Sequence, residues 1–134
     1  MGRIFKHTVR SSSRTQMLDI TDILQQTVEE SGVQDGLCTI FVPHTTAALT
    51  LNDNSDPKVI RDMTSEINKI VPWEDNYSRV ESNSAAHIKA SFVGASETIM
   101  VEDGQLVLGE NQALYFVEFD GPKTRKVYLK INED

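Results

Sequence analysis

Residues 41–57 read FVPHTTAALTLNDNSDP, and three structural elements are predicted to meet in this segment. An apolar, β-rich run from Leu37 to Val42 predicts an interior strand, which Pro43 interrupts. A second strand is expected immediately afterwards, from Thr45 to Leu51. Asp56-Pro57 combines an N-cap residue with a proline at the first helical position, which predicts the start of a helix. The segment therefore joins two strands to a helix through a polar loop.

Further elements are predicted on both sides of this segment. Residues 3–10 alternate in polarity, and a turn at Ser11-Ser12-Ser13 leads to a short strand from Thr15 to Ile20. Three helices are expected: one with Thr21 as N-cap and Gly32 at its end, one from Pro57 with Val59, Met63, Ile67 and Ile70 on its apolar face, and one from Ser84 to Val93 that ends at Gly94. Strands are expected at Thr98 to Val101, Leu106 to Leu108, Ala113 to Phe119 and Thr124 to Ile131, with a hairpin at Asp120 to Lys123. Elements mixed in this way, without a regular βαβ order, indicate an α+β fold of mostly antiparallel strands.

Composition limits the class of protein. The chain has 134 residues, 39% hydrophobic and 25% charged, which predicts one globular domain over residues 1–134. No apolar stretch approaches the roughly 20 residues that cross a bilayer, and residues 1–6 lack an apolar signal core, so we expect no membrane and no export. The net charge of −7 argues against broad nucleic-acid binding. A single cysteine, Cys38, excludes an internal disulfide and fits a cytoplasmic location.

His44 is the first candidate for a catalytic or ligand-binding residue. It follows Pro43 at the junction of two strands and is expected to project into a cleft. Thr45 and then Asn52, Asp53 and Asp56 follow it. Such a polar cluster beside a helix N-terminus suits anion or metal binding, with the His44 ring near Asn52 or residues 53–56. The same residues could also form only a loop with an Asx turn and an N-cap.

His87 and Glu118 are the other candidates. His87 shares one face of a short helix with Ser91, among small residues that leave room for a ligand; the alternative is a surface histidine. We predict that His87 and His44 converge on one site, whereas His7 is expected to be structural. Glu118 ends an apolar strand face, so it either pairs with Arg125 across the hairpin or belongs to a site.

Three separated motifs resemble the YjbQ family: FVPHTTAALTLNDNSDP at residues 41–57, HIKAS at residues 87–91 with Gly94 beyond it, and EFDGP at residues 118–122 followed by Arg125. The resemblance implies an α+β fold with a β-sandwich-like core and about three helices, assembled as a homotrimer. It also implies a secondary thiamine-phosphate synthase activity, which joins hydroxymethylpyrimidine diphosphate to a thiazole phosphate and releases pyrophosphate. The chain departs from the family at residues 109–112, GENQ, which lack a tryptophan, and at Ala85, where many members carry an acid.

A synthase of this type predicts a role for each candidate residue. Lys89 and Arg125 would contact the anion, with Thr45 or Ser91 as hydroxyl donors. Asp53 or Asp56 would hold magnesium carrying the diphosphate. His44 and His87 would act as general acid and base or, with Glu118, bind a transition metal such as zinc.

Two other functions use the same residues. One is a non-catalytic trimer that binds a small phosphorylated or anionic ligand, and the other is a metal-dependent hydrolase, for which further ligands are lacking in the sequence. No Walker A, GxSxG, HExxH or CxxC motif occurs. Metal-dependent release of pyrophosphate would distinguish the synthase from the binder.

Overall fold

Two antiparallel sheets form the centre of the structure, a computed structural model that describes residues 3–79 and 82–134. The elements in chain order are β1 (Ile4–Arg10), β2 (Gln16–Asp19), α1 (Thr21–Ser31), β3 (Gly36–Phe41), β4 (Ala47–Asp53), α2 (Pro57–Ile70), α3 (Ser84–Val93), β5 (Ser96–Glu102), β6 (Gln105–Leu106), β7 (Gln112–Glu118) and β8 (Thr124–Glu133). Sheet A has the strand order β1-β8-β3-β5-β6, and sheet B has the order β2-β7-β4.

The main core lies between the two sheets, and α1 packs along it. Alternate residues of β7 separate the two faces of sheet B: Leu114 and Phe116 point into the main core, whereas Tyr115 and Val117 join a second cluster under α2 and α3. Glu118 is on the same face as Leu114 and Phe116, and it is fully buried. The predicted α+β class with a sandwich-like core and three helices is confirmed.

The helix ends follow from local chemistry, with one correction. Asp56 caps α2 by accepting a hydrogen bond from the Lys58 amide at 2.9 Å. Gly32 ends α1 in the left-handed region at φ +73°. The prediction that Thr21 is the N-cap of α1 is wrong, because Thr21 is the first helical residue and its amide and hydroxyl both donate to the Asp19 carboxylate.

Helix α2 lies over sheet B without a fully buried residue. Its apolar face holds half-buried Ile60 and Ile67 against the second cluster, whereas Ile70 is 68% exposed. The α2 stripe predicted from the sequence therefore covers sheet B only partly. Among the described residues, no helix combines the length and apolarity that a membrane span requires.

The outer face of sheet A carries several large apolar side chains. Leu37 and Phe41 of β3 and Met100 of β5 are 42%, 46% and 60% exposed. Leu37 is directly opposite Met100 in the strand register. No described helix covers this face, which distinguishes it from the helix-covered outer face of sheet B.

Candidate functional site

A groove opens at one end of the sandwich, where β3 leads into β4 and the β7–β8 hairpin turns. Two cavities of about 590 and 340 Å³ form it, and they share His44, Thr45, His87 and Ala95. The larger cavity is also lined by Phe41, Val42, Pro43, Thr46, Asn83, Lys123 and Arg125, and the smaller by Ala47, Ala90, Ser91 and Gly94. We call the combined cavity the His44–His87 groove.

His44 is held in the groove by its neighbours in β8. Its Nε2 accepts a hydrogen bond from the Lys126 amide at 2.9 Å. That bond uses the Nε2 lone pair, so the neutral ring carries its proton on Nδ1. Burial lowers the pKa of His44, and the positive charge of Arg125 lowers it further. His44 is therefore a neutral hydrogen-bond donor at neutral pH.

His87 reaches the groove because α3 packs closely on sheet B. Ala86 and Ala90 are buried against that sheet, and their small side chains allow the helix to approach it. The Leu49 amide of β4 donates to the carbonyl of Gly94 at 3.0 Å, which fixes the end of the helix. His87 is half-buried, and its ring makes no hydrogen bond to another described residue. The structure thus brings His44 and His87 to one groove, with the His87 ring available to a ligand.

Arg125 enters the groove through a buried network. Its Nε donates to Glu118 Oε1 at 2.9 Å and its Nη2 to Oε2 at 2.5 Å, so the pair expected across the hairpin is present. Nη2 also donates to the Thr46 hydroxyl at 2.7 Å, and the Ser11 hydroxyl donates to Glu118 Oε1 at 2.8 Å. Glu118 itself does not line the groove. Its position makes it the residue that orients the guanidinium.

Lys123 supplies a second positive charge at the mouth of the groove. Its ammonium donates to Asp120 Oδ2 at 2.8 Å, and Asn83 donates to the same oxygen at 3.0 Å. Burial alone would raise the pKa of Asp120, but the hydrogen bonds from Lys123 and Asn83 outweigh it and lower that pKa. Asp120 therefore stays ionised and ties the hairpin to the loop before α3.

Asn52, Asp53 and Asp56 are not beside His44, so the predicted common cluster is wrong. In the β4–β7 register, Ala47 is opposite Glu118 at the groove, whereas Asp53 is opposite Gln112 at the other end. An extended strand rises about 3.3 Å per residue, which puts the two ends about 20 Å apart. Asp53 accepts hydrogen bonds from Ser55 and the Asp56 amide, and Asp56 caps α2, as in the alternative loop interpretation.

Lys89 also lies outside the groove. Two helical positions separate it from His87, so the two side chains leave α3 about 200° apart. Its ammonium donates to Asn68 of α2 at 2.6 Å. Thr45 and Ser91, by contrast, are exposed and line the groove. The Thr27 hydroxyl donates to the Ile23 carbonyl at 2.7 Å, so it accepts a hydrogen bond from His7 Nε2 at 2.9 Å, within the sandwich.

The groove offers few side chains that could bind a metal ion. No Asp or Glu lines either cavity, and the described residues contain no group of three or more metal-binding side chains. His44 Nε2 is already used by Lys126. A zinc site normally needs three or four protein ligands. Glu118 is paired with Arg125, so only the two imidazoles remain, and they do not make up a zinc site.

Sequence reasoning missed Thr46, Asn83 and Lys123. Thr46 directly follows Thr45, which was predicted as a site residue. The 5% exposure of Thr46 and its hydrogen bond from Arg125 depend on the pairing of two distant strands. Asn83 precedes α3 and meets the hairpin only in the folded chain. For Lys123 a signal exists in the sequence, because residues 123–130, KTRKVYLK, carry four basic side chains, and a basic strand segment can line an anion site on an acidic protein.

Residues 5–134 match the family described as UPF0047 protein, YjbQ-like. A UPF0047 protein of Methanocaldococcus jannaschii is 43% identical over 98% of this chain and 95% of its own length, and YugU of Bacillus subtilis is 44% identical over 92% and 94%. A crystal structure of an uncharacterised YjbQ/UPF0047 protein from Clostridium acetobutylicum matches with a TM-score of 0.93 and 47% identity, over 96% and 99% of the two chains. A protein of unknown function from Sulfolobus solfataricus matches with a TM-score of 0.94 and 30% identity, over 100% and 99%.

Proposed function

The chain belongs to the UPF0047 YjbQ-like family, and we propose that its His44–His87 groove binds phosphorylated substrates and catalyses a thiamine-phosphate synthase type of condensation. The ring nitrogen of a thiazole phosphate attacks the methylene carbon of hydroxymethylpyrimidine diphosphate. A C–N bond forms, the C–O bond to the diphosphate breaks, and pyrophosphate leaves with the electron pair. Support comes from one observation: Arg125 and Lys123 line the groove, whereas Glu118 and Asp120, the carboxylates that hold them, do not line it.

The reaction mainly needs stabilisation of the leaving diphosphate, which fixed positive charges and hydrogen-bond donors supply. Arg125 is oriented in advance by Glu118 and Thr46, so it loses little freedom on binding an anion. The Nδ1–H of neutral His44 donates to a phosphate oxygen. His87 and the hydroxyls of Thr45 and Ser91 complete the donors around the ligand.

Magnesium is part of the proposal only as a companion of the diphosphate. Mg²⁺ usually binds through one or two carboxylates together with substrate phosphates. Asp53 and Asp56, the carboxylates predicted to hold magnesium, are at the far end of β4. They accept hydrogen bonds from the Ser55 hydroxyl and the Lys58 amide instead. Magnesium dependence thus stays a prediction, measured as pyrophosphate release with and without a chelator.

The second candidate is a non-catalytic binder of a small phosphorylated molecule. It is supported by the same cations, and by a groove in which no carboxylate is available as a base. The two functions differ in turnover, because a binder would retain both substrates and release no pyrophosphate.

The test is pyrophosphate release from the two substrates by the full chain and two lysine variants. Lys123→Gln removes a groove cation, whereas Lys130→Gln removes an exposed lysine from β8. We expect Lys123→Gln to reduce kcat/KM by about 100- to 1,000-fold, the range for loss of one donor that stabilises a transition state, and Lys130→Gln to keep the wild-type value. Binding without turnover would favour the non-catalytic function. Turnover at equal rates by the two variants, or no binding at all, would contradict the assignment of the groove.

The homotrimer is part of the same proposal. The exposed apolar residues on the outer face of sheet A, Leu37, Phe41 and Met100, support burial of this face by another copy. Phe41 also lines the groove, so a neighbour on this face would lie beside the ligand. A second copy therefore adds a wall to the groove in this arrangement.

A further inference from the structure

Lys89 is a buried cation for which the described residues supply no acidic partner. The residue is 2% exposed, and within the described part of the chain its ammonium makes one hydrogen bond, to Asn68 Oδ1 at 2.6 Å. The ring centroid of Phe119 lies 5.9 Å from the nitrogen. Within residues 3–79 and 82–134, no carboxylate oxygen lies within 4.0 Å of it. Two of the three ammonium protons therefore lack a hydrogen-bond acceptor among the described residues.

A second cation, Arg14, acts on the Lys89 ammonium. Burial lowers the pKa of Lys89, and the positive charge of Arg14 lowers it further. The Arg14 guanidinium lies 4.1 Å above the ring centroid of Trp73, which holds it in this region. A buried ammonium costs several kcal/mol unless an opposite charge compensates it. Arg14 is near Lys89 through its chain neighbour Thr15, whose hydroxyl donates at 3.4 Å to the same Asn68 Oδ1 that accepts from Lys89.

We propose that Lys89, Arg14 and Asn68 form a second anion subsite, which takes a phosphate group on the side of α3 opposite the His44–His87 groove. An anion between the two cations would accept the remaining ammonium protons and a fork of two guanidinium donors. Asn68 Oδ1 already accepts from Lys89, which leaves the amide nitrogen of Asn68 to donate to the ligand.

Access to the subsite depends on Arg14. Its side chain is exposed and makes no ion pair with a described residue, so it can leave the Trp73 ring without losing a salt bridge. Asn68 is exposed as well. The inference goes beyond the proposed function, because the subsite would bind an anion whether or not the groove is catalytic.

The experiment titrates inorganic phosphate and pyrophosphate into the full chain while the Lys89 Cε–Hε signal is followed by NMR. The Lys89→Met variant assigns the signal and removes the charge while preserving the length of the side chain. Lys69→Met is the matched control, since Lys69 is an α2 lysine whose side chain is 72% exposed. Lys123→Gln, measured in parallel, reports on the groove alone.

We expect phosphate to shift the Lys89 signal and to raise the pKa of its ammonium in wild type, in Lys69→Met and in Lys123→Gln. Lys89→Met should weaken phosphate binding on this side of α3 by at least about tenfold, and without phosphate it should unfold at a higher temperature than wild type. The proposal is overturned if the Lys89 signal does not move with either anion. It is also overturned if Lys89→Met and Lys69→Met gain the same thermal stabilisation from phosphate.

Discussion

Arg125 of β8 and Glu118 of β7 form a buried ion pair with two hydrogen bonds, and this pair joins sheet A to sheet B beside the groove. The Glu118 side chain is fully buried and that of Arg125 is 7% exposed. The hydroxyl of Ser11 and the amide of Asp120 complete the shell around the carboxylate. The pair therefore serves both the stability of the sandwich and the orientation of a ligand-binding cation.

Replacing Glu118 tests both roles. Glu118→Gln keeps the shape of the side chain but leaves the Arg125 charge uncompensated, so we expect a loss of about 3–5 kcal/mol in the free energy of unfolding. Urea denaturation measures it. The control is Glu66→Gln, because Glu66 and Lys69 are exposed and 3.9 Å apart, and such pairs contribute at most about 1 kcal/mol. Similar losses in both variants would contradict the assigned role of the pair.

The same pair predicts a pH dependence. Burial by itself raises the pKa of Glu118, but hydrogen bonds from Arg125, the Asp120 amide and Ser11 outweigh it and lower that pKa. A carboxylate with a lowered folded-state pKa contributes stability above its unfolded pKa of about 4.3. This contribution is lost as the pH falls through the folded pKa. The difference in unfolding free energy between wild type and Glu118→Gln should therefore shrink below about pH 4.3.

The second prediction concerns the protonation of His44. The Lys126 amide donates to Nε2, so a long-range ¹H–¹⁵N NMR spectrum should show the proton on Nδ1. Because burial and Arg125 lower the pKa of His44, its titration should fall below about 6.5. Stability should decrease as the pH falls from about 6.5 to that folded value, where only the unfolded state takes up the proton. A proton on Nε2 or a raised pKa would refute this geometry.

The third prediction uses Gly121, which lies against the Glu118 network. A Cβ at this position would lie 2.6 Å from the Ser11 hydroxyl and 2.9 Å from Glu118 Cγ, and even closer to the backbone oxygen of Ser13. Gly121→Ala should destabilise the chain by about 1–3 kcal/mol and weaken phosphate binding through displacement of Arg125. At Gly109, a Cβ would meet only the end of the Gln112 side chain, at 3.2 Å. Gly109→Ala is thus the control, and an equal effect in thermal melting would exclude crowding as the cause.

The fourth prediction concerns assembly. Light scattering should give about 45 kDa for wild type, three times the chain mass of 15.0 kDa. Phe41→Asp combined with Met100→Asp places charges on the outer face of sheet A and should give monomers. Phe92→Asp is the control, because Phe92 is 78% exposed but belongs to α3. A wild-type mass of one chain, or trimers that survive the double change, would rule out this interface.

Except at Thr21, local chemistry made the helix ends predictable, whereas distances in space did not follow from distances along the chain. Asp56-Pro57 and Gly94 mark their helix ends because capping depends on neighbours in sequence. Asn52 and Asp53 were predicted to lie beside His44. Strand β4 lies between them and His44 in the sequence, and because it is extended, it places them at the other end of the sheet. The position of Thr46 beside Arg125 requires the pairing of β4, β7 and β8, which no local pattern encodes.

Helix α2 has no fully buried residue, and this has a consequence for how ligands reach Lys89. An element with few buried apolar contacts opens at a lower free energy than the core strands, as a separate cooperative unit. Opening of α2 would carry away Asn68, the hydrogen-bond partner of Lys89, and expose the ammonium for a moment. Amide hydrogen exchange should therefore be faster in α2 than in β7, and phosphate should slow it in α2 but not in β7. Occupancy of the subsite would then be governed by a local unfolding equilibrium as well as by the affinity of its charges.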